Sequence, residues 1–354
     1  MNEQNVPGAA EKTPIRRRPL WLLLLLDLVL AGVFLCVFAV FHHVIPYWGS
    51  APEGPAEPLA VIQPPEPSAT PAPAPEPAAE EEPEPSPEPF RTDWQIQFAD
   101  HFTDEVVVTD HSYTSPTVSV TITTHQEVIN GYNQVWYVAD IYIAQIENFQ
   151  TWAGEGSFTH LVQTPMEQIA RECDSILCIN GDYCNAMVQY GFYVRNGAVF
   201  DMTPTACDIC VLYYDGRMVT YSPRKYKIDD ILAERPYQVW KFGPRLLDEN
   251  GEPMSSFNTG EAVAIGNPRS AIGYYEPGHY CFVTVDGRHE EWSRGLTIDQ
   301  LSQLFADLGC KAAYNLDGGA SATMAFMGNL FNRQSSKRDV GDVLLIRELP
   351  EVTP

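Results

Sequence analysis

"YNLDGGASATMAF", residues 314 to 326, decides how the rest of the chain is read. Two apolar flanks enclose an Asn, an Asp, two glycines, a Ser and a Thr. The run before it, "CKAAYNL" at 310 to 316, has the length and apolarity of a buried strand, and Asp317 falls where that strand ends. Gly318 and Gly319 permit backbone conformations closed to other residues and let a ligand approach the main chain. A carboxylate at a strand end beside exposed amides is a usual place for catalysis or for an anion cradle. An Asp-Gly-Gly turn that only reverses the chain satisfies the same local pattern.

Three other segments share this character. "LCINGDYCNAM" at 177 to 187 is an apolar strand running into Asn180, Gly181, Asp182 and Tyr183. "GNPRSAIGYY" at 266 to 275 sets Arg269 just before an apolar stretch, and "CFVTVDGRHEEW" at 281 to 292 ends a strand with Asp286, Gly287 and Arg288. Three strand-like runs thus end in an Asp next to a Gly, with two arginines close by. That repetition predicts convergence on one site.

The surrounding pattern is strand-rich. "TVSVTITTH" and "QVWYVADIYIA" alternate at period two, as half-buried strands do, and "RNGAV", "YDGRM" and "ENGEP" place Asn-Gly or Asp-Gly between strand-like runs as hairpin turns. Two helices are marked. "TPMEQIAREC" starts with Thr164, Pro165 and a Glu167 that completes a capping box, and "TIDQLSQLFADLG" repeats that logic with Thr297 and Gln300 before stopping at Gly309. The expected fold is α+β, a mixed and mostly antiparallel sheet with a few helices, in one domain over residues 90–354.

The N-terminal quarter has a different composition. Residues 20–41 are apolar with Asp27 as the only charge, long enough to span a bilayer as an uncleaved anchor, assigned to 20–45. Lys12, Arg16, Arg17 and Arg18 precede it and the next basic residue is Arg91, so the positive-inside rule puts residues 1–19 in the cytoplasm and the C-terminal domain outside the cell membrane. Residues 46–89 are rich in Pro, Glu and Ala, which predicts a disordered, extended spacer. The whole chain has a formal net charge of −24, and residues 90–354 carry 18 Lys or Arg against 34 Asp or Glu. So acidic a domain does not suit nucleic acid, and an anionic substrate needs arginines to build a local positive site.

Outside the apolar span stand seven cysteines: Cys173, Cys178, Cys184, Cys207, Cys210, Cys281 and Cys310. The odd number leaves at least one unpaired within a chain. "CDIC" at 207 to 210 is expected to take part in a structural disulfide, since no second pair completes a zinc set. Cys281, on the apolar face of its strand, is expected in the core.

In order along the chain, Asn-Gly-Asp-Tyr, Arg-Ser-Ala-Ile-Gly, Val-Asp-Gly-Arg and Asn-Leu-Asp-Gly-Gly-Ala-Ser-Ala-Thr-Met resemble the motifs of the phosphodiester glycosidase family over roughly residues 115 to 348. The sequence departs from the family pattern at Cys184, where an aromatic is usual, and at Ala320, where a third glycine is usual. The resemblance implies hydrolysis of the bond between a sugar C1 and a phosphate oxygen in a cell-surface or environmental glycan; the apolar span and the short cytoplasmic arm, without a eukaryotic sorting signal, add the expectation of a bacterial, membrane-anchored member. Asp182 and Asp317 are then the catalytic carboxylates, with Arg269 as the third catalytic residue and Arg288 also on the phosphate. Asn180, Gly181, Asp286, Asn315, Gly318, Gly319, Ser321 and Thr323 complete the expected substrate contacts. No metal ligand set is assigned and no cofactor is required; Ca²⁺ or Mg²⁺ on Asp and Asn oxygens is the remaining option. Two other readings fit the same cleft: a non-catalytic glycan-binding or assembly factor for exopolysaccharide, and a metal-dependent phosphoesterase.

Overall fold

The structure, a computed structural model, describes Val29 and residues 58–65, 92–158, 161–182 and 191–350. The chain forms two compact units, Met1–Gly54 and Pro55–Pro354, and the strands and helices below belong to the second. Apart from Val29, the apolar span expected at 20–41 lies outside the described residues. Among the described residues no helix is long and apolar enough to cross a membrane.

The period-two runs are strands, arranged in three sheets. The largest has seven strands and is built on the long hairpin Val118–Ile129 and Tyr132–Ile143, followed by His279–Val285, Arg269–Glu276 and Ala312–Asn315. A six-stranded sheet contains Tyr193–Arg195, Ala198–Asp201, Ile209–Tyr213, Met218–Tyr221 and Pro236–Trp240. The third has five strands and centres on Leu177–Asn180 and Asp342–Ile346. Where the sequence predicts one mixed sheet, every pairing among these strands is antiparallel. Tight Asn-Gly and Asp-Gly turns join neighbours directly, and a two-residue hairpin can only return antiparallel.

All three sheets face one core. Along Asp342–Ile346 the side chains of Leu344 and Ile346 enter it, together with Phe149, Trp240, Phe282, Tyr314 and Met324. Val343 and Leu345, one residue out of phase, face the helix Met166–Glu172 instead. The other sheets repeat the arrangement. Cys281, Val283 and Val285 face the helix Ile298–Asp307, while Ile209, Val211 and Tyr213 lie on the side of Ile228–Ala233. The central strands of each sheet are therefore buried on both faces, which is why they read as nearly continuous apolar runs.

Thr297 and Gln300 form the expected capping box, and Gly309 ends that helix at φ 79°. The box expected at Thr164 is absent: Pro165 is the N-cap, without a side-chain hydrogen bond, because Thr164 pairs its backbone with Val340. The disulfide expected at 207–210 is also absent. Cys207 and Cys210 are free, and Cys210 is drawn into the common core by the inward phase of its strand. Cys281 is in the core as expected, and Cys184 lies outside the described residues.

Within the stretch expected to be a spacer, Ala60–Val61 pairs with Ala198–Val199 at the edge of the six-stranded sheet. Leu59 and Ile62 donate their backbone N–H groups to Val199 and Gly197, both at 2.7 Å. "LAVI" is an apolar island in an otherwise Pro-, Glu- and Ala-rich segment, and it covers backbone groups that an edge strand leaves open.

Candidate active site

The sheet registers bring the four motifs to one end of the molecule. Arg269 opens its strand opposite Val285, where His279–Val285 ends, and Asn315 closes its own strand opposite Ala271. On the five-stranded sheet Asn180 ends its strand opposite Val343, so Asp342 begins there. Asp182, Asp317 and Asp342 then line one pocket with Asn180, Ser321 and Arg338.

Asn180 fastens the two sheets together. Its Oδ1 accepts hydrogen bonds from Ser270 Oγ at 2.6 Å and Thr323 N at 3.2 Å, and its Nδ2 donates to the Asp317 carbonyl at 2.7 Å. The Asp317 N–H in turn donates to the Gly181 carbonyl at 3.2 Å. Asn180 therefore positions the backbone of both aspartates, and its side chain is committed to the protein. Gly181 is required by close approach, since a Cβ there would lie 2.6 Å from Asp342 Oδ1.

The two aspartates have different surroundings. Asp182 is buried, and its Oδ2 accepts from Arg195 Nη2 at 2.9 Å and from the Lys241 N–H at 3.0 Å, while Oδ1 accepts from the Phe242 N–H at 3.3 Å. Arg195 also reaches Asp342 Oδ2 at 3.3 Å and donates to the carbonyls of Val194 and Val239. Burial opposes the charge on Arg195, yet Tyr193, Asp182 and Asp342 together hold its pKa above the ordinary value. Asp317 takes its own Gly318 N–H on Oδ1 at 2.9 Å and is 9% exposed, facing the pocket. Burial pushes its carboxyl above the usual carboxylate range, and the Asp182 charge adds to the shift. Hydrogen bonds from Ser321 and Gly318 and the Arg338 charge oppose it.

A cationic wall adjoins this pocket. Arg269 is buried, with Nε on the Leu296 carbonyl and Nη2 on the carbonyls of Val263 and Ile265. No carboxylate pairs with it among the described residues, and burial with the nearby Arg288 charge lowers its pKa to about 10. Arg288 is exposed, held by Asn267 Oδ1 at 3.0 Å. A Cβ on Gly319 would lie 2.8 Å from Arg288 Nη2, and one on Gly318 would lie 2.6 Å from the Pro268 carbonyl. The two glycines thus let the Asp317 loop lie against both arginine-bearing segments, and Gly319 adopts φ +65°.

Beside Asn180, three more expected contacts are engaged within the protein. Asp286 accepts from Tyr137 Oη, Trp292 Nε1 and Asn332 Nδ2 at 3.0, 2.8 and 3.0 Å, so its carboxylate ties protein segments together where the sequence suggested a substrate contact. Asn315 is fully buried and donates to the Gly243 carbonyl. Thr323 Oγ1 accepts from Gln334. Ser321 is buried on the pocket wall beside Asp317. Arg195, Asp342 and Arg338 were not legible as site residues. Arg195 sits in a hairpin "RNGAV" that signals only a turn, and its partner Asp342 is 147 residues away.

Residues 174–347 match the family model for phosphodiester glycosidases. The chain is 30% identical over 186 residues to an SPbeta prophage-derived uncharacterized protein, YomE, of Bacillus subtilis (strain 168). That match covers 50% of this chain and 29% of the relative, so the chain spans under a third of it. The zebrafish N-acetylglucosamine-1-phosphodiester alpha-N-acetylglucosaminidase catalytic domain, in a structure auto-inhibited by its pro-peptide, superposes with a TM-score of 0.55. The superposition covers 69% of this chain and 88% of that one at 21% identity, which is a shared fold.

The ion cluster and the raised Asp317 pKa each carry an expected outcome. Arg195→Met leaves Asp182 and Asp342 buried without their cation and should cost about 3–5 kcal/mol in denaturant unfolding. Adding Asp342→Asn should recover part of that loss, and an unchanged midpoint for Arg195→Met would contradict the pairing. Because the folded state holds the Asp317 proton to higher pH than the unfolded chain does, wild-type stability falls relative to Asp317→Asn as pH rises through the raised pKa. The Asn variant should therefore melt higher than wild type at pH 7, and the two Tm values should converge near pH 3, about one unit below the ordinary Asp pKa.

Proposed function

We propose that the domain hydrolyses a glycosyl-1-phosphodiester, breaking the bond between sugar C1 and phosphate oxygen in a cell-surface or environmental glycan. The observation that carries this reading is the pairing of Asp182 and Asp317 in one pocket beside Arg338, with Arg269 and Arg288 across the glycine loop. A phosphate monoester leaves with little need of protonation, so most of the work falls on charge stabilisation and on one positioned carboxylate.

The roles follow from the surroundings. Asp182, with donors on both oxygens, is the fixed electrostatic partner of the developing oxocarbenium ion. Asp317 has fewer protein donors and a raised pKa, and it is the carboxylate that activates water or attacks C1. Arg288 and Arg338 are the cations that reach the pocket side. Arg269 is saturated by backbone carbonyls and contributes its charge through the wall, while orienting the 263–269 segment. The Gly318 and Gly319 main chain and Ser321 hold the sugar or phosphate oxygens. The sequence supports a domain held outside the cell by residues 20–41. No metal or cofactor enters this mechanism.

The test offers wild type and Asp317→Asn a panel of sugar-1-phosphodiesters, including UDP-N-acetylglucosamine, with and without a chelator, on purified protein and on intact cells. Free sugar from wild type, insensitive to chelation and reduced at least a hundredfold in the Asn variant, is expected. Since UDP-N-acetylglucosamine does not cross membranes, release by intact cells also tests the outward placement. No release from any substrate, with both proteins folded and binding a phosphorylated glycan alike, would favour the assembly-factor reading. Loss of activity on chelation would favour the phosphoesterase.

A further inference from the structure

"RKYK", residues 224 to 227, places three cations in four positions of a chain whose formal net charge is −24. Arg224 and Lys227, with Tyr226, line a cleft of about 410 Å³ whose other walls include Pro204, Thr205 and Ile228. That volume lies within the range of small-ligand sites and accommodates one or two sugar rings. Tyr226 is half-buried, its ring 5.9 Å from that of Tyr221, and with Ile228 it packs on the core of the six-stranded sheet. The cleft therefore has a fixed apolar wall with cations at its mouth. Arg224 and Lys227 make no ion pair among the described residues, and Asp229 is the only acid lining the cleft. Two unpaired cations beside an aromatic face suit a ligand that is anionic at one edge and apolar on a ring face, as a sugar phosphate is.

Lys241 has neighbours on both sides, Asp182 at the catalytic pocket and Gly191 beside the cleft residue Thr205. The Lys241 N–H donates to Asp182 Oδ2, and a Cβ placed on Gly191 would lie 3.2 Å from Lys241 Nζ and 3.3 Å from Thr205 Cβ. Thr205 itself lines the cleft. Burial draws the Lys241 pKa below its ordinary value, with the Asp182 and Asp201 charges opposing that shift.

We infer that this cleft is an accessory subsite for a neighbouring unit of a phosphodiester-linked, polyanionic glycan, so that the substrate is a polymer engaged at more than one repeat. The inference rests on the glycosidase reading for what happens at Asp317, but binding at Arg224 and Lys227 does not. A single-unit diester occupies the catalytic pocket alone; a polymer spans Lys241 and places a second phosphate between Arg224 and Lys227.

The test uses the full chain with Arg224→Gln and Lys227→Gln together, both exposed positions away from the catalytic pocket. Gln removes the charge, keeps an unbranched polar side chain, and adds no new backbone demand at residue 224, where φ is already 63°. Two substrates are compared: UDP-N-acetylglucosamine, and an oligosaccharide of several units joined by sugar-1-phosphodiesters, with neutral dextran as control. The double variant should raise KM for the oligosaccharide about tenfold, leave kcat/KM for UDP-N-acetylglucosamine unchanged, and flatten the salt dependence of oligosaccharide binding. Arg224→Lys with Lys227→Arg should retain tight binding. Equal kinetics of wild type and double variant on the oligosaccharide would overturn the subsite. Binding of the same oligosaccharide to Asp317→Asn, measured by calorimetry, separates the two claims: if wild type hydrolyses nothing but this binding still depends on Arg224 and Lys227, the catalytic reading fails and the subsite stands.

Discussion

The site depends on one buried guanidinium. Arg195, on the six-stranded sheet, reaches Asp342 of the five-stranded sheet and Asp182 in the turn that follows its strand Leu177–Asn180, and is itself fully enclosed. Removing such a cation strands charge in a region of low polarity, so the cluster admits one arrangement of the two sheets at the site end. Gly181 fits the same constraint, because Asp342 occupies the space that any side chain at 181 would need. The ion cluster thereby sets where Asp182 points before any substrate arrives, the preorganisation that electrostatic catalysis requires.

Asn180 transmits that order to the large sheet. By bonding Ser270, Thr323 and the Asp317 carbonyl at once, it holds the turn after Leu177–Asn180 against the turn after Ala312–Asn315. The result is an asymmetric pair of aspartates, one saturated with donors and one with a raised pKa, beside the Arg269 charge, which no carboxylate pairs among the described residues. An anion entering between them relieves the repulsion of Arg269 and Arg288 in a domain that is acidic overall. Charge of opposite sign is thus divided across one glycine loop, which suits a substrate with a cationic transition state at its sugar carbon and an anionic leaving group.

Much of this was legible because strand periodicity and Asp-Gly endings are local signals. The opening stretch 314–326 gave a buried strand, a tight loop and a pocket aspartate, and Asp182, Asn180, Ser321, Gly318 and Gly319 gather with it as the repeated pattern suggested. Asp286 carried the same signal, yet Tyr137, Trp292 and Asn332 claim its carboxylate, and those partners come from three separate segments. Arg195 and Asp342 went unseen for the same reason: a pairing across 147 residues leaves no trace in either neighbourhood. Tertiary pairing also displaced the cap expected at Thr164, and the inward phase of its strand took Cys210 into the core in place of the disulfide expected at 207–210.

The central claim is that this pocket breaks the bond at sugar C1 rather than the bond at phosphorus. Hydrolysis of a sugar-1-phosphodiester in isotopically labelled water, with mass analysis of both products, measures that directly. The account predicts the label in the released sugar and an unlabelled phosphate monoester; label in the phosphate would contradict it.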